Sequence, residues 1–328
     1  MKNILKYLLL IIVIQSHGQE LNLPVFTQYL ADNDFVVSPT FAGIGDNFRV
    51  RVNGLTQWVG IKNAPQNMAL YADIRLGNRS GAGISAYSDR NGNTRQQGVK
   101  FSFAHHLILD YKTKQYLSFG LSYNINSFRI AIENFETTYE NPTIDPYVTD
   151  DRAIINNNFD VGALYRFRSF WLSANANNIL SKDIDSFDEI EPKSLLNLQF
   201  YSGYVIKSSN NSDYEPSAYI QVFTNDGRSS TDLNFKYRKY NGNDDFYWIG
   251  ASYRFLNDQI MVPLNVGPMA GFKKSVFYVA YAYQLTLNDL TGYNSGTHAI
   301  TLGVDLFQSL SDCECTKGKY DPGDKLWQ

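Results

Sequence analysis

Over most of the chain apolar and polar residues alternate with a period of two. In 117–126, Leu117, Phe119, Leu121, Tyr123 and Ile125 share one face, while Ser118, Gly120, Ser122, Asn124 and Asn126 share the other. Tyr247, Ile249, Ala251, Tyr253 and Phe255 alternate in the same way with Trp248, Gly250, Ser252 and Arg254. His298, Ile300, Leu302, Val304 and Leu306 alternate with Ala299, Thr301, Gly303, Asp305 and Phe307. A strand places successive side chains on opposite faces and a helix does not, so these are strands. The longest strictly apolar runs after the first residues, such as Val276–Tyr283, are about eight residues, against the ~20 of a spanning helix. Segments of about ten alternating residues are the unit of a transmembrane β-barrel.

Division at turn signals predicts an all-β, antiparallel outer-membrane barrel of about fourteen strands. They fall near 48–59, 66–76, 80–88, 96–110, 114–126, 156–167, 169–180, 194–208, 214–225, 231–240, 244–256, 258–270, 275–287 and 296–308. An even count brings both termini to the periplasmic end, where turns are short. Connections after even strands are indeed short: Gly77–Arg79, Asp110–Thr113, Arg168, Asn241–Asn243 and Gly271–Lys274. Those after odd strands include the long Ser127–Ile155, Ser181–Lys193 and Asn288–Ser295, with a one-residue turn at Asn257 as the exception. Phe48, Trp58, Tyr87, Phe167, Phe170, Phe255 and Phe307 sit near strand ends, where aromatic girdles belong.

Residues 1–18 read as a secretory signal peptide. Lys2 and Lys6 precede the apolar run Tyr7–Ile14, and small residues at Ser16 and Gly18 set a cleavage point before Gln19. The rest divides into an N-terminal periplasmic or plug segment (19–47), the barrel (48–308) and a periplasmic tail (309–328). Composition agrees: 44% hydrophobic and 19% charged is too apolar for a disordered chain. Two cysteines are too few for a disulfide scaffold. Twenty-nine basic against 32 acidic residues argue against a nucleic-acid partner.

The alternation turns Arg49, Arg51, Arg75, Lys100, Arg166, Lys236, Arg238 and Arg254 inward, together with Asp73, Asp160, Asp232 and Asp305. Eight positive against four negative groups make either an electropositive pore or a charge network that stiffens a closed barrel. Catalytic patterns are missing: there is no G-x-S-x-G, P-loop, H-E-x-x-H or dinucleotide glycine pattern, and no residue set implies a cofactor or metal. His105 and His106 are adjacent in a strand, so they face opposite sides and cannot chelate together. Cys313 and Cys315, in an oxidising compartment, are open to a small-loop disulfide, a soft metal, pairing with another chain, or no role.

Several stretches resemble one family. Pro24-Val-Phe26-Thr-Gln28-Tyr29 and Ser38-Pro39-Thr-Phe41-Ala42-Gly43 are similar to the opening of the PorP/SprF outer-membrane proteins of Bacteroidota. Gln57-Trp58-Val-Gly60 through Asn63-Ala64-Pro65 is similar to the family's Gln-Trp-x-Gly-x-x-Gly-Ala-Pro. Gly81-Ala-Gly83, Phe119-Gly120, Phe159-Asp160-Val-Gly162, Trp248-Ile-Gly250, Tyr281-Ala-Tyr283 and Ser295-Gly296-Thr297-His298 follow in the family's order. Ser38 stands where Asn is usual, Thr40 and Phe41 for Ala-Tyr, Asn63 for Gly, and Ala299 where an acid commonly follows the His.

The resemblance implies a non-enzymatic role in type IX secretion: helping to export, or hold at the cell surface, a secreted protein with a C-terminal sorting domain, often a large gliding adhesin. The expected partners are that cargo, other secretion components and outer-membrane lipid. The motif residues are candidates both for fixing barrel and plug and for partner contact. The outer loop Ser127–Ile155 and the tail, with Cys313, Cys315 and Trp327, are further contact candidates. A porin with an electropositive lumen is the competing reading, and a soluble β-sandwich a third.

Overall fold

The structure is a computed structural model that describes residues 33–45, 48–92, 94–130, 153–180, 196–208, 211–224, 227–241, 245–258, 260, 263–287, 291–307 and 313–316. The candidate leader, Pro24, Phe26, Gln28, Tyr29 and Trp327 lie outside the described residues, as do 131–152 and 181–195.

The strands are β1 (Phe48–Thr56), β2 (Gln66–Leu76), β3 (Ser80–Asn91), β4 (Thr94–Asp110), β5 (Gln115–Ile130), β6 (Ala153–Phe167) and β7 (Phe170–Asn177). β8 (Asn197–Tyr204) breaks at Val205 and resumes as Ile206–Ser208, both parts pairing with β9 (Ser212–Phe223). Then come β10 (Ser229–Tyr240), β11 (Phe246–Leu256), β12 (Pro263–Lys274), β13 (Phe277–Gln284) and β14 (Thr297–Leu306). Each strand pairs antiparallel with its sequence neighbours. β1 pairs with β14 from Phe48 opposite Leu306 to Thr56 opposite His298, which closes the fourteen strands into a barrel. Closure removes the unpaired edges that a bilayer would penalise.

Outward side chains form an apolar belt: Leu70, Phe101, Phe103, Phe119, Leu121, Phe235, Ile300 and Leu302 are all exposed. That exposure would be a liability in water and is what a lipid-facing wall requires. Among the described residues no helix is long and apolar enough to cross a membrane. β4, β5 and β6 run 17, 16 and 15 residues, against eight for β7 and β13. A spanning strand needs about 9–11, so this wall overshoots by about five residues, roughly 15 Å. Phe48, where β1 begins, and Leu306, where β14 ends, lie opposite each other at the end with the short turns.

Two strand-level expectations are corrected. The connection after β11 occupies 257–262, not Asn257 alone, and Gly271–Lys274 belongs to β12, with the turn at Ser275 and Val276. The polar pair Lys273-Lys274 reads as a turn in sequence, yet Lys273 is a lumen residue 3.0 Å from Asp305. Tyr87 is no girdle residue; its hydroxyl donates to Asn126 Oδ1 inside the barrel at 2.9 Å. Phe255 is only 8% exposed despite its outward place in the alternation, with its ring 5.5 Å from that of Tyr253.

Candidate functional site

The lumen is filled. Residues 33–45 fold into two single-turn 3₁₀ helices inside the barrel, Asp34–Val36 and Pro39–Phe41. Each begins on a side-chain cap: Asn33 Oδ1 accepts from Phe35 N at 3.2 Å, and Ser38 Oγ from Thr40 N at 3.1 Å. Pro39 follows at the first helical position, where its missing N–H costs nothing. Ser and Asn both cap well, so Ser in place of Asn at position 38 keeps a capping side chain. The apolar face of this plug, Phe35, Val37, Phe41, Ala42 and Ile44, is buried with Ala104, Leu164, Trp171, Tyr201, Val205 and Tyr219. Phe41 meets Tyr201 edge-on at 6.1 Å, and Tyr201 donates to Asp34 Oδ1 at 2.9 Å.

Polar groups on four strands, β2, β4, β7 and β8, hold the plug. Gly43 N donates to Asp73 Oδ2 at 3.0 Å, and Arg75 donates to Gly43 O and Gly45 O at 3.5 and 2.8 Å. His106 Nε2 lies 3.1 Å from Ala42 O, and its Nδ1 2.8 Å from Ser118 Oγ. A carbonyl only accepts, so Nε2 carries the proton and Ser118 donates to Nδ1. Ser38 Oγ donates to Asn175 Oδ1. The strand glycines supply the room: a Cβ on Gly81 would sit 2.1 Å from Ala42 O, and one on Gly120 2.6 Å from Thr40 N. Motif pieces far apart in sequence thus converge on one object.

Cys313 and Cys315 are joined as a disulfide. Cys315 and Thr316 are fully buried. Thr316 O accepts from Gly45 N at 2.7 Å and from Arg75, and Cys315 O accepts from Arg166. The N-terminal plug and the C-terminal segment therefore lock each other in place.

Arg75 and Arg166 donate to the carbonyls named above, and the other lumen cations pair with acids. Arg49 meets Asp73 at 2.8 Å, Arg51 meets Asp305 at 2.7 Å and Lys100 meets Asp160 at 2.5 Å. Arg254 meets Asp232, its direct cross-strand neighbour, at 2.6 Å. Lys236 and Arg238 face Glu215 and Asp213 across the β9–β10 ladder at 3.5 Å each. Those two acids escaped the sequence reading, although the β9 alternation puts them on Tyr219's face. A second cluster, Leu55, Trp248, Met269, Tyr278, Ala280, Ala282 and Ala299, has Val36 of the plug packed against it. There Trp248 Nε1 donates to Tyr278 OH at 2.9 Å, and the Arg51 guanidinium lies 4.5 Å over the Tyr278 ring.

At the outer rim Gln57 N donates to Pro65 O at 2.9 Å, closing the first loop around Trp58. Gly60, at φ +106°, makes the turn. Val59 N donates to Gly296 O at 3.0 Å, and Ser295 N to Val59 O at 2.7 Å, so this loop is laced to the Ser295–His298 stretch. His105 points outward, its Nδ1 3.0 Å from Ser80 Oγ.

A sequence model of the family described as "Type IX secretion system membrane protein PorP/SprF" matches residues 18–304. The chain belongs to the PorP/SprF family. Among curated proteins none matches this PorP/SprF member in sequence. Of solved structures, the deltaS2 mutant of the monoaromatic hydrocarbon channel TodX is similar over 84% of this chain and 92% of that one, at 10% identity and a TM-score of 0.51. The CymD monoaromatic hydrocarbon channel covers 88% and 94% at 11% identity and a TM-score of 0.48. The β domain of the Bordetella autotransporter BrkA covers 80% and 98% at 12% and 0.38. At these identities the likeness to TodX speaks for the outer-membrane barrel fold alone. This PorP/SprF protein is thus an outer-membrane β-barrel of type IX secretion.

Proposed function

We propose that this protein is a closed, non-enzymatic barrel that helps export a secreted protein, or holds it at the cell surface, by engaging the cargo's C-terminal sorting domain. A large adhesin, such as one used in gliding, is the cargo class meant. In this reading residues 1–18 are the leader, cut near Gly18 and Gln19. The reading rests on one observation: the lumen is occupied by the plug, the Cys313–Thr316 segment and neutralised ion pairs. A barrel built this way offers partners its rims rather than a wide solute path. The tall β4–β6 wall and the laced loops at Trp58 and Gly296 supply an outer rim. In this reading the tail, through Trp327, supplies the contact with periplasmic components.

Affinity purification from outer membranes in mild detergent, with mass spectrometry, tests this. One large secreted protein, caught by its C-terminal domain and lost on deletion of 131–152, is the expected result. Recovery of the barrel alone, together with a steady open conductance in planar bilayers, would overturn the proposal and favour an anion-conducting porin.

A further inference from the structure

Above the plug lies a cavity of about 80 Å³. Its floor is Phe35–Pro39, and its wall runs from β2 to β8 toward the outer ends of those strands. The wall is rich in carboxamides: Asn67, Asn124, Asn126, Asn177, Asn197 and Gln199. Its charge is cancelled internally, because Lys100 and Asp160 pair at 2.5 Å and Asn124 Nδ2 donates to Asp160 Oδ1 at 2.9 Å. Gln199 spends its amide N–H on Asn197 Oδ1 at 3.0 Å. Its own Oε1, on a side chain only 2% exposed, accepts from no described residue. A buried acceptor left in that condition costs free energy unless a donor arrives.

Asn124 and Asn126 on β5, and Asn197 and Gln199 on β8, are each two residues apart. They repeat along the wall at about 6.6–6.8 Å, which is also the repeat of like-facing N–H and C=O groups on one edge of an extended polypeptide. A carboxamide offers the same donor and acceptor as a peptide group. We propose that this cavity binds the tip of an uncharged, extended polypeptide segment entering from the outer side, with Gln199 Oε1 taking a backbone N–H. The volume admits the end of a chain and excludes a folded domain. The site rests on the cargo reading above for what supplies that segment: an end or loop of the sorting domain.

The test titrates the full-length protein in detergent with blocked, uncharged six-residue peptides of Thr, Asn and Gly, and separately with maltohexaose. Isothermal titration calorimetry reports binding. The peptides should bind; Gln199→Met should weaken them roughly five- to tenfold, as the loss of one hydrogen bond does, and Asn126→Leu, which removes the partner of Tyr87 OH and Asn124 in the wall, should weaken them as well. Both variants must keep heat-modifiable migration, which separates site loss from misfolding. Binding of maltohexaose in place of peptide, no binding at all, or equal binding by both variants would overturn the site. If cargo co-purifies equally with wild type and variants, the site is wrong and the secretion role stands. If peptides bind in the cavity while wild type brings down no cargo, the role fails and the site stands.

Discussion

Truncating Phe41 to alanine isolates the plug from the barrel. The ring is 1% exposed, stacked edge-on against Tyr201 at 6.1 Å, and surrounded by Leu164 and Trp171. Removing a buried phenylalanine costs about 3–5 kcal/mol in transfer and cavity energy. None of the fourteen strands draws a ladder hydrogen bond from Phe41, so that cost falls on the equilibrium between seated and released plug. At about 1.4 kcal/mol per decade the released population rises by roughly two to four orders of magnitude. Hydrogen exchange with mass spectrometry on the full-length protein in detergent reads this directly. Peptides covering 33–45 should exchange faster by that factor, while peptides from β4, β5 and β6 keep their protection. Unchanged exchange in 33–45 would mean that Phe41 does not carry the plug. Equal loss of protection in the strands would mean that plug and barrel open as one unit, and either result refutes the reasoning.

Three further outcomes are expected. Gly81→Ala places a Cβ 2.1 Å from Ala42 O, backbone against backbone, and should expel the plug, whereas Gly54→Ala, whose Cβ meets only Ile300 Cγ2 at 3.6 Å, should not; the same exchange measurement compares them. Asp232→Ala strips Arg254 of its direct partner inside the barrel and should lower unfolding free energy by about 3–5 kcal/mol, seen as a lower urea midpoint; an unshifted midpoint means the pair is solvated and weak. Replacing Cys313 and Cys315 by serine should leave the barrel folded but speed exchange at Gly45, whose N–H is held by Thr316 O at 2.7 Å, and unaltered exchange there would show that the disulfide does not hold the clasp.

Strand placement was legible in the chain because a period of two is a local property: each residue's face follows from its neighbour's. The inward set from Arg49 to Asp305 and the outward belt from Leu70 to Leu302 follow from that alone. Where local polarity was ambiguous the reading slipped, as at Lys273, a lumen ion-pair residue that resembles a turn residue until Asp305 is brought beside it. What only the tertiary structure decided is everything that closure creates. Register across β9–β10 pairs Arg238 with Asp213 and Glu215, and the meeting of first and last strands puts Arg51 within reach of Asp305. Neither pairing is encoded in either strand taken singly. The same holds for the plug: Ser38-Pro39 announces a capped turn, but only the folded barrel sets Gly81, Gly120, His106 and Asn175 around it. Scattered motif residues converge there because an enclosed lumen must be filled, and the residues that fill it come from wherever the chain crosses that level.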